Sequence, residues 1–270
     1  MRRILLALCA ALMLGGCGGG GVDASLIATA VRNTEAAGGA EVAFQANIDV
    51  PGQAEPLVMT GSGFEDVRGE KASLKFTIPE VGEMDMVADG LTMYMRMPML
   101  TDQLGKDWVK IDLERAWEAL GVEADSFAQI GQKPSDQLRM LETVSDGVTE
   151  HGRDRVAGVE ATHYSATMDL RRYPELAAPE DRESARRTAE RIIELSGESE
   201  IPIDVWIDDD QRVRRMELEQ AMSQGGVEVR AEMIFEYVRF GVPVDIDVPD
   251  DDDVFDITEL GVQEIQRRGL

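Results

Sequence analysis

Six methionines, Met84, Met86, Met93, Met95, Met97 and Met99, fall within sixteen residues, mostly two apart. On a strand that spacing puts Met93, Met95 and Met97 on one face with Leu91. Three kinds of chemistry fit such a ladder. Thioethers are soft ligands for Cu(I). Unbranched, adaptable side chains suit the wall of a cavity that accepts flexible acyl chains, and they also fill gaps in an ordinary core. Other reactive groups are scarce. The only histidines are His151 and His163, without the partner set that a zinc site or a catalytic triad needs. No Gly-x-Ser-x-Gly elbow and no phosphate-cradling Gly-x-x-x-x-Gly-Lys loop occurs. Asp245, Asp247 and the run 250–253 superficially resemble a calcium loop. Pro249 occupies the third ligand position, however, and no Gly-plus-Glu frame follows, so the stretch reads as a solvated acidic linker. These residues assign no catalytic group, no metal and no cofactor, and a binding protein is expected rather than an enzyme.

The other candidate for covalent chemistry is Cys17. Arg2 and Arg3 are followed by an apolar run, Ile4 to Leu14, and by Leu14-Gly15-Gly16-Cys17. The run is too short for a membrane-spanning anchor and suits a secretory signal. Its close resembles the lipobox of bacterial lipoproteins. That resemblance implies a diacylglyceryl group on the Cys17 sulfur, cleavage just before it, and a protein anchored by lipid at the extracytoplasmic face of the cell membrane. Residues 1–17 then form the signal peptide with its lipidated cysteine, and 18–23, which include Gly18 to Gly21, form a flexible tether. Cys9 would leave with the signal, so the mature domain would hold no disulfide and no cysteine nucleophile.

Charge narrows the partners. With 52 acidic and 27 basic residues the formal charge is −25, and loss of Arg2 and Arg3 with the signal takes it to −27. Such a surface repels the phosphates of nucleic acid. It also repels an anionic leaflet within a Debye length, about 8 Å at physiological salt, so attachment would rest on the lipid. The expected state is a monomer.

The elements that must position these groups follow from periodicity. A helix is predicted over 24–37, ended by Gly38-Gly39. Alternation over 41–50 (Val42, Phe44, Ala46, Ile48), 57–67, 72–78, 83–88, 91–97 and 107–111 predicts strands, with Asp89-Gly90 turning a hairpin. Helices are predicted over 113–120 and 135–144. Strands resume over 148–156 and 159–170, turning at Ala157-Gly158. A charged helix to Leu195 follows, carrying a Glu183–Arg187 pair one turn apart. Its Arg182, Arg186, Arg187 and Arg191 read most simply as a solvent face, with an anionic headgroup as the alternative partner. The strands 201–207, 213–222 and 227–240 form a meander, and 257–268 a last short helix. Ten or eleven strands without a βαβ rhythm indicate an α+β fold, with one large, strongly curved antiparallel sheet and helices on one side.

The segment from His151 through Gly152, Arg153, Asp154, Arg155, Val156, Ala157 and Gly158 to Tyr164 resembles a hairpin of LppX/LprG-type envelope lipoproteins. So does Val205-Trp206-Ile207-Asp208 followed by a turn and Val213-Arg214-Arg215-Met216. These proteins are similar in fold to the LolA/LolB lipoprotein-carrier superfamily. The resemblance implies a half-open barrel over 24–245, with helices covering its concave side. An apolar cavity in that barrel would take an acyl-chain-containing lipid, lipoglycan or lipoprotein, and no catalytic residues carry over. Phe44, Ile48, Leu74, Phe76, Met93, Met95 and Met97 are the candidate cavity lining, and 246–270 is set apart as an acidic C-terminal segment. A surface scaffold or sensor that binds a partner protein is the alternative, and Cu(I) binding by the methionines the third.

Overall fold

Most of the alternating stretches become strands because they bury one row of apolar side chains and hydrogen-bond to neighbouring strands. The computed structural model describes residues 24–49, 52, 55–67, 71–79, 82–97, 104–119, 138, 141–144, 147–177, 179, 182–224 and 227–268. Cys17 and the tether lie outside them, as do Met99 and most of the helix expected over 135–144. The end of that stretch forms a 3-10 turn, Leu141–Thr143.

In chain order the elements begin with helix α1 (Ser25–Ala36) and strands β1 (Gly39–Asp49), β2 (Leu57–Asp66), β3 (Lys71–Ile78), β4 (Gly82–Asp89), β5 (Thr92–Arg96) and β6 (Trp108–Asp112). Helix α2 (Leu113–Ala119) leads towards β7 (Thr149–Val156) and β8 (Val159–Asp169). A helical turn α3 (Tyr173–Leu176) and helix α4 (Arg182–Ser196) precede β9 (Glu200–Asp208), β10 (Val213–Gln224) and β11 (Val227–Phe240). The chain closes with β12 (Val254–Asp256) and α5 (Thr258–Arg268). All twelve strands join one sheet, in the order β12-β6-β5-β4-β3-β2-β1-β11-β10-β9-β8-β7. Every pairing is antiparallel except β12 with β6.

The α+β class agrees with the sequence reading, but the shape differs. The sheet is open, with β12 and β7 as its edges, and it is not strongly curled. Alternation reports which face of a strand is buried and carries no information on the angle to its neighbour. Curvature was therefore not legible in it.

One face of the sheet carries the core. Val205, Ile203, Met216, Leu218 and Tyr237 are all but fully buried there, together with Ile27, Ala30 and Val31 of α1 and Ala185 and Ala189 of α4. Helices α1 and α4 both pack on β10. Helix α1 is fixed at its C-terminal end by Thr34, whose hydroxyl accepts the Val213 N–H at 2.8 Å, and by Asn33, which donates to the Gln211 carbonyl.

The stretch after Pro243 departs most from the reading of a solvated linker. From Phe240, beside Ala40 of β1, the chain crosses the opposite, outer face of the sheet and delivers β12 to the far edge. At about 4.8 Å per strand the crossing is roughly 34 Å. Residues 241–253, extended at about 3.3 Å each, cover it with slack. Val242, Val244, Ile246 and Val248 are half-buried while Pro243, Asp245 and Asp247 are exposed, so the strap lays one apolar edge on the sheet. It starts tight: the Val242 N–H donates to the Gly39 carbonyl, and a Cβ at position 39 would lie 2.3 Å from the Val242 oxygen. It ends latched. The Ile257 N–H donates to the Lys110 carbonyl, Lys110 pairs with Asp256 at 3.5 Å, Arg115 pairs with Glu259, and α5 packs on α2. Burial pushes the Asp256 carboxyl up, but hydrogen bonds from Thr258 and the Lys110 ammonium outweigh it and hold the group below the ordinary carboxylate value.

Thr258 is the buried pin of this latch. It is 3% exposed, and its hydroxyl accepts the Asp112 N–H at 2.9 Å. Thr258→Val keeps the shape and removes that acceptor. It is expected to cost about 1–3 kcal/mol in urea unfolding, the penalty of a buried donor left without a partner. A neutral result would mean that the latch adds nothing to stability.

Candidate functional site

On the core side, the half of the sheet built from β1 to β5 carries an apolar band that the register assembles row by row. Phe44 stands opposite Phe235 on β11 and Gly61 on β2; Gly61 faces Phe76, and Phe76 faces Met84. In the next row Val42, Gly63, Leu74, Met86, Met95 and Val109 follow one another from β1 to β6. A third row brings Ala72, Ala88, Met93 and Ile111 together.

The two glycines let the band close over β2. A Cβ at Gly61 would meet the Phe76 ring at 2.6 Å, and a Cβ at Gly63 would lie 2.0 Å from the Ser73 carbonyl oxygen. With no side chain at position 61, the Phe76 ring reaches across the strand and packs edge-on against Phe44, with centroids 5.8 Å apart. Phe44 in turn lies 5.0 Å from Phe235. Three rings thus form a continuous apolar ridge over four strands.

Leu74 is buried within the main core cluster, and Phe44, Phe76, Met93 and Met95 are half-buried against it, as is Met233 of β11. Ile48 lies at the far end of β1, opposite Leu57 and Ala231, half-buried and apart from that cluster. Met97 follows β5 and is half-buried. Five of the seven candidate residues, Phe44, Leu74, Phe76, Met93 and Met95, therefore belong to the core-side rows of β1, β3 and β5, and Ile48 and Met97 lie outside those rows. Phe235 and Met233 complete the band and were not singled out from the sequence. Their signal is the alternation Met233, Phe235, Tyr237 within β11.

The remaining reactive groups serve the structure. His163 stacks on Trp206 of β9 at 4.2 Å, with Arg215 over the same indole at 4.8 Å and His151 beside it at 4.8 Å. The His163 Nε2 lies 2.6 Å from Asp204 Oδ1, and the Trp206 N–H donates to Asp154. This plate sits on the outer face. Among the described residues, no group of three His, Cys, Asp or Glu side chains could hold a metal ion. On α4, Arg186 joins Glu183 and Glu190, Arg187 lies 3.6 Å from Glu183, and Arg191 lies 2.8 Å from Glu194. Hydrogen bonds that Arg186 donates to Glu183 and Glu190 raise it above its ordinary pKa, and Arg186 holds the Glu183 carboxyl down. These three arginines are engaged along their own helix, as a solvent face would be. No described helix is long and apolar enough to cross a membrane.

Among the described residues, cavities open on the outer face. One, of about 320 Å³, is bordered by acidic side chains of β9, β10 and β11, among them Asp204, Glu217, Glu219 and Glu232. Another, of about 520 Å³, lies under the strap.

With this arrangement in view, the chain can be set beside known proteins. It is similar in structure to two mycobacterial proteins, one of them a lipoprotein. LppX of Mycobacterium tuberculosis matches over 84% of this chain and 100% of its own, at 13% identity and a TM-score of 0.46. LprF of Mycobacterium bovis matches over 84% and 96%, at 14% identity and 0.42. A LolA superfamily protein from Nitrosomonas europaea matches over 85% and 96%, at 10% identity and 0.31. No family model matches the chain, and no curated protein matches it in sequence.

Proposed function

We propose that the core-side band of β1 to β5 binds the acyl chains of an envelope lipid, lipoglycan or lipoprotein, and that the protein acts as a non-catalytic carrier or holder of that molecule. One observation carries the reading. Apolar side chains on the same sheet face are buried at β8 to β10 under α1 and α4, yet Phe44, Phe76, Met84, Met93 and Met95 remain half-buried. Covering such surface contributes about 25 cal/mol per Å². Methionine and phenylalanine at strand spacing accommodate a flexible chain without a fixed shape. The lipobox at Cys17 supports a lipid anchor of the mature protein, with residues 18–23 as a short tether that keeps the domain near the bilayer.

Native mass spectrometry of the protein extracted from its own membranes tests the reading. A lipid is expected to copurify without covalent attachment. Met95→Glu, which puts a charge into the band, is expected to cut the bound fraction about tenfold while the unfolding midpoint reports that the domain still folds. Cys17→Ala is expected to move the protein to the soluble fraction with the same lipid bound. A folded protein without lipid, or one whose lipid ignores Met95→Glu, would overturn the carrier role. Membrane attachment that survives Cys17→Ala would overturn the anchor. The scaffold or sensor reading draws its support from the outer face, where Phe64 and Val58 are exposed.

A further inference from the structure

The cavity under the strap lies on the face opposite the acyl-binding band and is independent of it. Its floor and walls are Phe64 of β2, Val87 of β4 and Trp108 of β6, and Val244 and Ile246 of the strap lean over them. Phe64 is 43% exposed, one of three large apolar side chains left open among the described residues. At about 520 Å³ the space takes an aromatic or long aliphatic side chain with room to spare. The polar groups in the wall are Ser73, Asp85 and Arg96. Arg96 donates to Asp85 at 2.8 Å and lies 5.4 Å over the Trp108 ring, and Lys75 approaches Asp85 at 3.3 Å. Burial pushes the Asp85 carboxyl up, but the hydrogen bonds and charges of Arg96 and Lys75 outweigh it and hold the group below the ordinary value.

Above the cavity runs an uncompensated line of charge. Asp245 and Asp247 are exposed on the upper edge of the strap, and the run 250–253 extends it towards β12. Among the described residues no cation pairs with these carboxylates; Lys106 reaches the run but bonds the Asp252 carbonyl. Elsewhere on this half of the sheet Lys71, Lys75, Arg96 and Lys110 are each matched with an aspartate. An apolar socket beside an unpaired acidic rail has a complement of definite chemistry.

We propose that the socket and the rail form a docking site for a basic, extended segment of a partner protein. One phenylalanine-like side chain of that segment seats against Phe64 and Trp108, and its flanking lysines or arginines lie along Asp245, Asp247 and the 250–253 run. The overall charge of −25 steers such a segment towards the protein, and the socket gives it register.

Fluorescence anisotropy on the full chain in detergent, with three labelled pentapeptides, tests this. Lys-Lys-Phe-Lys-Lys is expected to bind about tenfold tighter than Lys-Lys-Ala-Lys-Lys, and Glu-Glu-Phe-Glu-Glu not at all. Phe64→Ala, at an exposed position, is expected to erase the difference between the two basic peptides. Asp245→Asn with Asp247→Asn, which leaves the core untouched, is expected to weaken both and reduce their salt dependence. Equal binding of the two basic peptides, binding of the acidic peptide, no binding of any, or indifference to the paired Asn substitutions would each overturn the proposal. None of these results bears on lipid bound at the opposite face.

Discussion

Arg214→Ala is expected to lower the unfolding free energy by about 3–5 kcal/mol, the cost of breaking one side of a buried ion pair. Asp208 and Arg214 are both buried, and the Arg214 Nε donates to Asp208 Oδ2 at 2.7 Å. The guanidinium also donates to the carbonyls of Tyr237 and Val238 and lies 4.6 Å over the Phe240 ring. It thereby ties the β9–β10 turn to the end of β11, where the strap begins. Without it the Asp208 carboxylate stays in place and still accepts the Arg212 N–H, with the Arg212 guanidinium at 3.4 Å as its remaining cation. Urea unfolding of the single variant and of Arg214→Met with Asp208→Leu separates the terms. The paired apolar replacement is expected to recover much of the loss, because it removes both charges from the interior. A single variant within about 0.5 kcal/mol of the parent would show that the pair is not buried as described.

Gly63→Ala is expected to be the most damaging one-carbon change in the sheet, costing about 1–3 kcal/mol or preventing folding. The added Cβ would lie 2.0 Å from the Ser73 oxygen and 2.9 Å from the Leu74 Cα. Both are backbone atoms, so relief requires β2 and β3 to separate. Gly61→Ala meets chiefly the Phe76 ring, at 2.6 Å, which can rotate. That variant is expected to fold, to lose near-ultraviolet dichroism from the displaced Phe44–Phe76 pair, and, under the proposed carrier role, to bind less lipid. Thermal unfolding of the two variants side by side checks the order. Equal stability of both would mean that β2 does not approach β3 as closely at position 63.

Most strands were legible because each is amphipathic at period two. β1, β3 and β8 fall within a residue or two of the ranges read from alternation, and the α4 helix ends at Ser196, one residue past the expected Leu195. The methionine pattern was legible as a face, and the structure extends it across the hairpin, where Met86 stands opposite Met95. The helical turn α3, the strand β12 and the strap escaped. β12 is three residues long and pairs with a strand far away in sequence, so no local periodicity marks it. The strap did carry a signal, since Val242, Val244, Ile246 and Val248 alternate with Pro243, Asp245 and Asp247. The aspartates of 250–253 drew the reading towards a solvated linker instead.

The sequence by itself determined the types of most elements, the buried face of most strands and the acidic composition, and its stretch at Cys17 resembles a lipobox. These are local properties, written in spacing and composition. Only the tertiary structure decided which rows those faces form, that glycines at 61 and 63 let Phe76 meet Phe44, that the sheet stays open, and that the acidic tail recrosses it to latch at β6. Each depends on pairing between segments tens to hundreds of residues apart, and a strand's period reveals its face without revealing its neighbour.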